Sequence, residues 1–166
     1  MYVYRCENQD GEGMYGGERC KSSLTNFWFA YGLSAIKYEF NTNNIEFDES
    51  NHPPPRLCFD DEVLDNTIYS SDLDTKRNSI FGFSSTTQLF NWLNDVNVLY
   101  CLQTVFGIKV VVYEIDYCYE CGCQCIFDRR SAKKHDEFHI DEFYKLHQCE
   151  TILKEVSTQV IELCRL

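Results

Sequence analysis

No stretch of this sequence approaches the roughly 18 consecutive apolar residues that a membrane-crossing helix requires, so no spanning segment is expected. The N-terminus, Met1-Tyr2-Val3-Tyr4-Arg5, also lacks a basic segment followed by an apolar run, and export is not expected. There is no glycine loop ending in lysine to cradle phosphates and no dinucleotide-binding glycine fingerprint. No internal repeat or low-complexity tract points to a solenoid or a disordered tail. Positive charge is scarce: 15 Lys and Arg face 26 Asp and Glu, a net charge of −11. A field of that sign repels nucleic acid and attracts basic protein surfaces, which argues against direct DNA or RNA binding.

What is present suits one folded domain. The 166 residues lie in the usual single-domain range, and 44% hydrophobic with 15% aromatic content supplies enough apolar surface to offset chain entropy. Ten cysteines would suggest a disulfide framework in an exported protein; without an export signal, reduced thiols are expected. Cys6, Cys58, Cys101, Cys149 and Cys164 stand beside aromatic or aliphatic neighbours and read as small packing residues.

The patterning predicts an α+β fold with a mainly antiparallel central sheet. Met1–Glu7 reads as a strand with Tyr2 and Tyr4 on one face and Val3 and Arg5 on the other. A glycine-rich turn follows, and residues 24–47 are aromatic without a deciding period. His52-Pro53-Pro54-Pro55 excludes helix, and from there to Ser79 the chain reads as an acidic surface loop with one short helical turn. Ser84 or Ser85 is placed to cap a helix burying Leu89, Phe90 and Leu93. Asn94-Asp95 offers a second cap for a helix that ends at Gly107, giving a capped helical pair or one kinked helix. Ile108–Ile115 is the strongest strand and is expected at the sheet centre, with 124–127 as its hairpin partner. From Asp136 on, Leu146, Cys149, Ile152, Leu153, Val156, Val160 and Leu163 predict a long C-terminal amphipathic helix. This divides the single domain into an α+β body over 1–130 and a helical segment over 131–166.

The most literal motif is Cys118-x2-Cys121 followed, after thirteen residues, by His135-x3-His139, the spacing of a two-cysteine, two-histidine zinc site. Four protein ligands would close the coordination sphere and make the metal structural. Cys118, Cys121, Cys123 and Cys125 could also be weighed as nucleophiles, but no local signature selects one. The acids Asp60, Asp61, Glu62, Asp65, Asp72 and Asp74 fall in the expected surface loop, as a candidate surface for a basic partner.

Tyr4-Arg5-Cys6-Glu7, the turn Gly11-Glu12-Gly13-Met14-Tyr15, His52-Pro53 with Asp60-Asp61, Phe81 to Ser85 before Gln88 and Trp92, Val112-Tyr113-Glu114, and Gln124-Cys125-Ile126-Phe127 form a set of segments along the chain. Together they resemble a group of small bacteriophage and prophage proteins. The arrangement also looks like a minimal ADP-ribosyltransferase-like fold, which implies a ligand site for NAD or an NAD-derived nucleotide at Arg5, His52, Ser84 and Gln124. Gln124 stands where that pattern calls for a carboxylate, and an amide can hydrogen-bond a ribose but cannot serve as a base. The phage resemblance implies a cytoplasmic inhibitor of a host defence system, of anti-CRISPR or related type, that meets a basic host protein through its acidic surface. The alternatives are an NAD-using ADP-ribosyltransferase or nucleotide binder, and a zinc-stabilised interaction module.

Overall fold

A computed structural model describes residues 1–11, 13, 58–93, 102–103 and 107–147. In chain order the elements are β1 (Tyr2–Glu7), α1 (Asp61–Asn66), α2 (Leu73–Asn78), β2 (Ser79–Gly82), α3 (Thr86–Trp92), β3 (Lys109–Glu114), β4 (Tyr119–Glu120), β5 (Cys125–Asp128), β6 (Lys133–His139) and α4 (140–147). The fold is α+β and its strand pairings are antiparallel, as the patterning predicts. His52, the triproline, the 24–47 stretch and the second cap at Asn94-Asp95 lie outside the described residues.

Among the described residues two three-stranded sheets form, in the orders β1-β3-β6 and β2-β5-β4. The β-branched run Val110-Val111-Val112 takes the middle of the first sheet, since a strand buried on both faces must be apolar throughout. A reciprocal pair of backbone bonds, Tyr4 N–H to Phe83 carbonyl and Phe83 N–H to Tyr4 carbonyl, both 2.8 Å, joins β1 to the end of β2. The sheets therefore meet edge to edge. Gly82 permits this approach: a Cβ there would sit 2.9 Å from the Tyr4 carbonyl oxygen and 3.0 Å from the Phe127 ring.

The two faces of β1 feed different apolar clusters, by the period-two alternation of a strand. Tyr4 and Cys6 face a cluster with Val110, Phe83, Leu89, Trp92, Leu93, Leu102, Ile108, Ile140 and Phe143, so helices α3 and α4 cover this side. Val3 faces Val111, Tyr113, Ile115, Cys118, Cys125 and Phe127, where the second sheet folds against the first. A third cluster forms where Phe59 and Leu64 cover Ile126 and Phe81. Each fully buried valine, leucine or isoleucine stabilises the fold by about 1.5–3 kcal/mol relative to exposure.

The α3 cap is as expected: Ser85 Oγ accepts from Gln88 N–H at 3.2 Å. Leu89 and Leu93 are buried and Phe90 half-buried, and Trp92 joins them in the core. Gly107 N–H bonds the Gln103 carbonyl at 3.1 Å, closing the helix to which residues 102–103 belong.

Three expectations are corrected. The acidic stretch before Ser79 holds two helices, because Asp60 and Asp72 each accept backbone N–H bonds as N-caps. Six-residue helices carry too little periodicity to stand out. The 124–127 segment does not pair with Ile108–Ile115: β3 is flanked by β1 and β6, and β5 by β2 and β4. Its apolar content reflects burial of Cys125, Ile126 and Phe127 in other company. Finally, residues 133–139 are a strand of the first sheet, and helix begins only at 140, so the body does not stop at residue 130. β6 is charged and exposed along nearly all its length, as suits a sheet edge, and its alternation has no apolar signal to read. The remainder of the expected long helix, 148–166, lies outside the described residues.

Candidate functional site

Arg5 and Glu7 are two apart on β1 and so share a face, the one that also carries Val3 and is shut in by the second sheet. Both side chains are buried. Arg5 Nε donates to Glu7 Oε2 at 3.0 Å, and Tyr113 Oη donates to Glu7 Oε1 at 2.7 Å. Arg5 Nη1 donates to the Phe81 carbonyl on β2, tying the two sheets together by a side chain just beyond their backbone seam. Gly13 packs flat on the guanidinium, and any Cβ there would collide with it. Burial lowers the Arg5 pKa while Glu7 opposes that shift; burial, then the bond to Glu7, pushes Tyr113 up to about 12.

This arrangement bears on the expected nucleotide site. Arg5 has its charge matched internally by Glu7, and Ser84 is engaged elsewhere: its N–H and Oγ both donate to Gln88 Oε1, at 2.8 and 3.1 Å. Gln124 is buried, and its backbone belongs to a tight turn with Cys121. Arg5 thus works as a buried structural cation, and Ser84 as an anchor for Gln88.

Gln88 leads to the most chemically loaded part of the molecule. Its Nε2 donates to the Cys121 carbonyl at 3.1 Å, fixing the β4–β5 turn against α3. In that turn Cys121 N–H bonds the Gln124 carbonyl at 2.9 Å, and Gln124 N–H points at Cys121 Sγ at 3.2 Å. Cys123 Sγ lies 3.5 Å from Cys121 Sγ and 2.8 Å from Cys58 Sγ, and the three sulfurs are all within 4.8 Å of one another. Cys58 comes from the segment just before α1, so the cluster joins α1 to the β4–β5 hairpin at the half-buried margin of the third apolar cluster.

The cysteine–histidine quartet suggested by spacing is not assembled. Cys121 faces Cys58 and Cys123, while Cys118 is buried between the sheets, bonded to Glu120 Oε1 at 3.7 Å. His135 stacks on Tyr2 at 4.8 Å between ring centroids, at the irregularity where β6 slips register against β3. His139 ends β6 as an exposed residue. Burial raises the thiol pKa of Cys6 to about 12 and raises those of Cys58, Cys118, Cys123 and Cys125 as well. An activated nucleophile needs the opposite shift.

Cys58 reads from sequence as a packing residue, and Cys123 as one of four cysteines that no local signature distinguishes. The available signal was the short Cys121-x-Cys123 spacing in a turn. For the buried ion pair the signal was Arg5 and Glu7 recurring at strand period on the face of Val3.

The expected acidic surface is exposed at all six positions. Asp60 accepts from Val63 N–H at 3.0 Å. Asp72 accepts from Thr75 N–H and Oγ1, bonds that lower its pKa, and Asp74 pairs with Arg130. Asp61, Glu62 and Asp65 are engaged by no ion pair among the described residues and form the unneutralised part of the patch.

Among the described residues no helix is long and apolar enough to cross a membrane. Comparison with curated proteins and with solved structures finds no match. The phage part of the sequence resemblance is supported by a family match that runs from the first strand through the start of α4, and it does not extend to ADP-ribosylation. Residues 1–141 match the family described as Bacteriophage T4 Y00F protein, and the chain belongs to that family.

Proposed function

We propose that this phage protein is an inhibitor that binds a host defence protein in the host cytoplasm, competing with nucleic acid for a basic surface. The observation that carries the reading is the presentation of Asp61, Glu62 and Asp65 on α1. Val63 and Leu64 of the same helix pack on Phe59 and Ile126, and Asp60 caps its start, so the exposed carboxylates are held on an anchored element. Fixed charges of one sign steer a basic partner and lose less entropy on docking than charges on a free loop. The phage family and the net charge of −11 support the same reading.

The test is capture of host proteins on immobilised wild type and on the variant Asp61→Lys, Glu62→Lys, Asp65→Lys, at low and high salt, followed by nucleic-acid binding assays on the captured partner. The expected result is a partner held by wild type at low salt, released as salt screens exposed charges over about 10 Å at 0.1 M, and lost from the triple variant. A partner whose nucleic-acid binding is inhibited equally by wild type and variant would show that the acids only keep the chain soluble.

A further inference from the structure

We infer that Cys58, Cys121 and Cys123 form a three-thiolate site for zinc, distinct from the cysteine–histidine spacing of the sequence and independent of the acidic surface. Three thiols from two separate segments converge at one point, with sulfur separations of 2.8 and 3.5 Å for two of the pairs and all three within 4.8 Å. Zinc–sulfur bonds of about 2.3 Å in tetrahedral geometry place ligand sulfurs about 3.8 Å apart. The Cys121–Cys123 pair is already near that spacing, and the Cys58–Cys123 pair must open by about 1 Å to reach it.

The backbone around the cluster holds the sulfur-bearing turn in one position. Gln124 N–H is directed at Cys121 Sγ at 3.2 Å, a contact that orients the sulfur within the turn. The turn that aims it is held twice more, by Cys121 N–H to the Gln124 carbonyl and by Gln88 Nε2 to the Cys121 carbonyl. Such support shells orient metal ligands before the ion arrives. One side of the site is the apolar margin formed with Phe59, Leu64 and Ile126, and the cysteines themselves are half-buried, which leaves an entry path.

Binding would convert three thiols to thiolates with release of protons, and would fix the Cys58 segment to the β4–β5 turn. Three protein sulfurs leave one tetrahedral position for water or an added donor.

The experiment uses the full chain, reduced and purified without chelator. Native mass spectrometry with added Zn²⁺ is expected to show one ion per chain, and Co²⁺ in its place to give sulfur-to-metal charge-transfer bands. Differential alkylation of the wild type, with Zn²⁺ and after chelation, is expected to protect Cys58, Cys121 and Cys123 together, which needs no variant to fold. Cys58→Ser and Cys123→Ser should each lose the ion, and His135→Asn should keep it. The inference fails if wild type binds no zinc, if protection falls on Cys118 with His135→Asn losing the ion, or if peptide mapping finds Cys58 and Cys123 joined as a disulfide in the native protein.

Discussion

Arg5 and Arg130 both bind carboxylates, in opposite surroundings. Arg5 pairs with Glu7 inside the seam between two sheets, where both side chains are under 10% exposed and Tyr113 and a backbone carbonyl complete the network. Arg130 pairs with Asp74 and Asp128 on the surface, 48% exposed, where water competes for every bond. Burial makes the first pair obligatory: either partner alone would be a charge stranded at low dielectric, whereas a stranded surface charge is simply hydrated. The two arginines are alike in chemistry and differ in what their loss would leave behind.

The largest effect that would sharpen this contrast is that of Arg5→Met, which abandons Glu7 in the seam. It should cost about 3–5 kcal/mol in urea unfolding. Adding Glu7→Leu should restore at least half of that loss, since a buried ion pair exchanged for apolar side chains is often near neutral. A single variant as stable as wild type would remove the distinction between the two sites.

Next comes Gly13→Ala, whose methyl group must displace the Arg5 guanidinium. Overpacking of this kind costs about 1–3 kcal/mol, and the loss should vanish in the Arg5→Met background where the clashing group is gone. An undiminished loss there would place the strain elsewhere.

A smaller effect separates the regions by pH. Tyr113, with its pKa raised to about 12, keeps its proton in the folded chain when the unfolded chain has ionised near 10, so its contribution is complete below about pH 10 and fades toward 12. Unfolding midpoints measured across that range should fall, and fall less in Tyr113→Phe. Glu137 runs the other way: bonds from Lys134 and Lys109 lower its pKa to about 2, so its contribution is present above about 4.3 and fades as pH drops toward 2. That acid limb should be shallow and should flatten in high salt, because the group is exposed. The smallest expected effect is that of Arg130→Ala, with a urea midpoint close to wild type at 1 M salt. A loss matching that of Arg5→Met would overturn the comparison.

The sequence announced elements whose signals were local. The β-branched run of β3, the Ser85 cap and the alternation of β1 are each written in a few neighbouring residues, and all three stand in the structure. What escaped was set by partners far away in sequence. β6 has no apolar alternation because it is a sheet edge, and β5 is apolar because of Phe59, Leu64 and the first sheet rather than because of β3. The metal candidate failed for the same reason: spacing drew in His135 and His139, while the third sulfur comes from Cys58, 63 residues before Cys121, as their numbers show. Convergence across such separations leaves no periodic trace.

The place of β1 between β3 and the end of β2 carries a consequence for synthesis. β1 leaves the ribosome about 100 residues before β3, and at roughly 5–20 residues per second that is a wait of about 5–20 s. During the wait the edge of β1 that pairs with β3 lacks that partner, and Val3 lacks Val111, Tyr113, Ile115 and Phe127 of its cluster. Nascent chains held this way are substrates for chaperones, and the first sheet can close only when β6 has emerged.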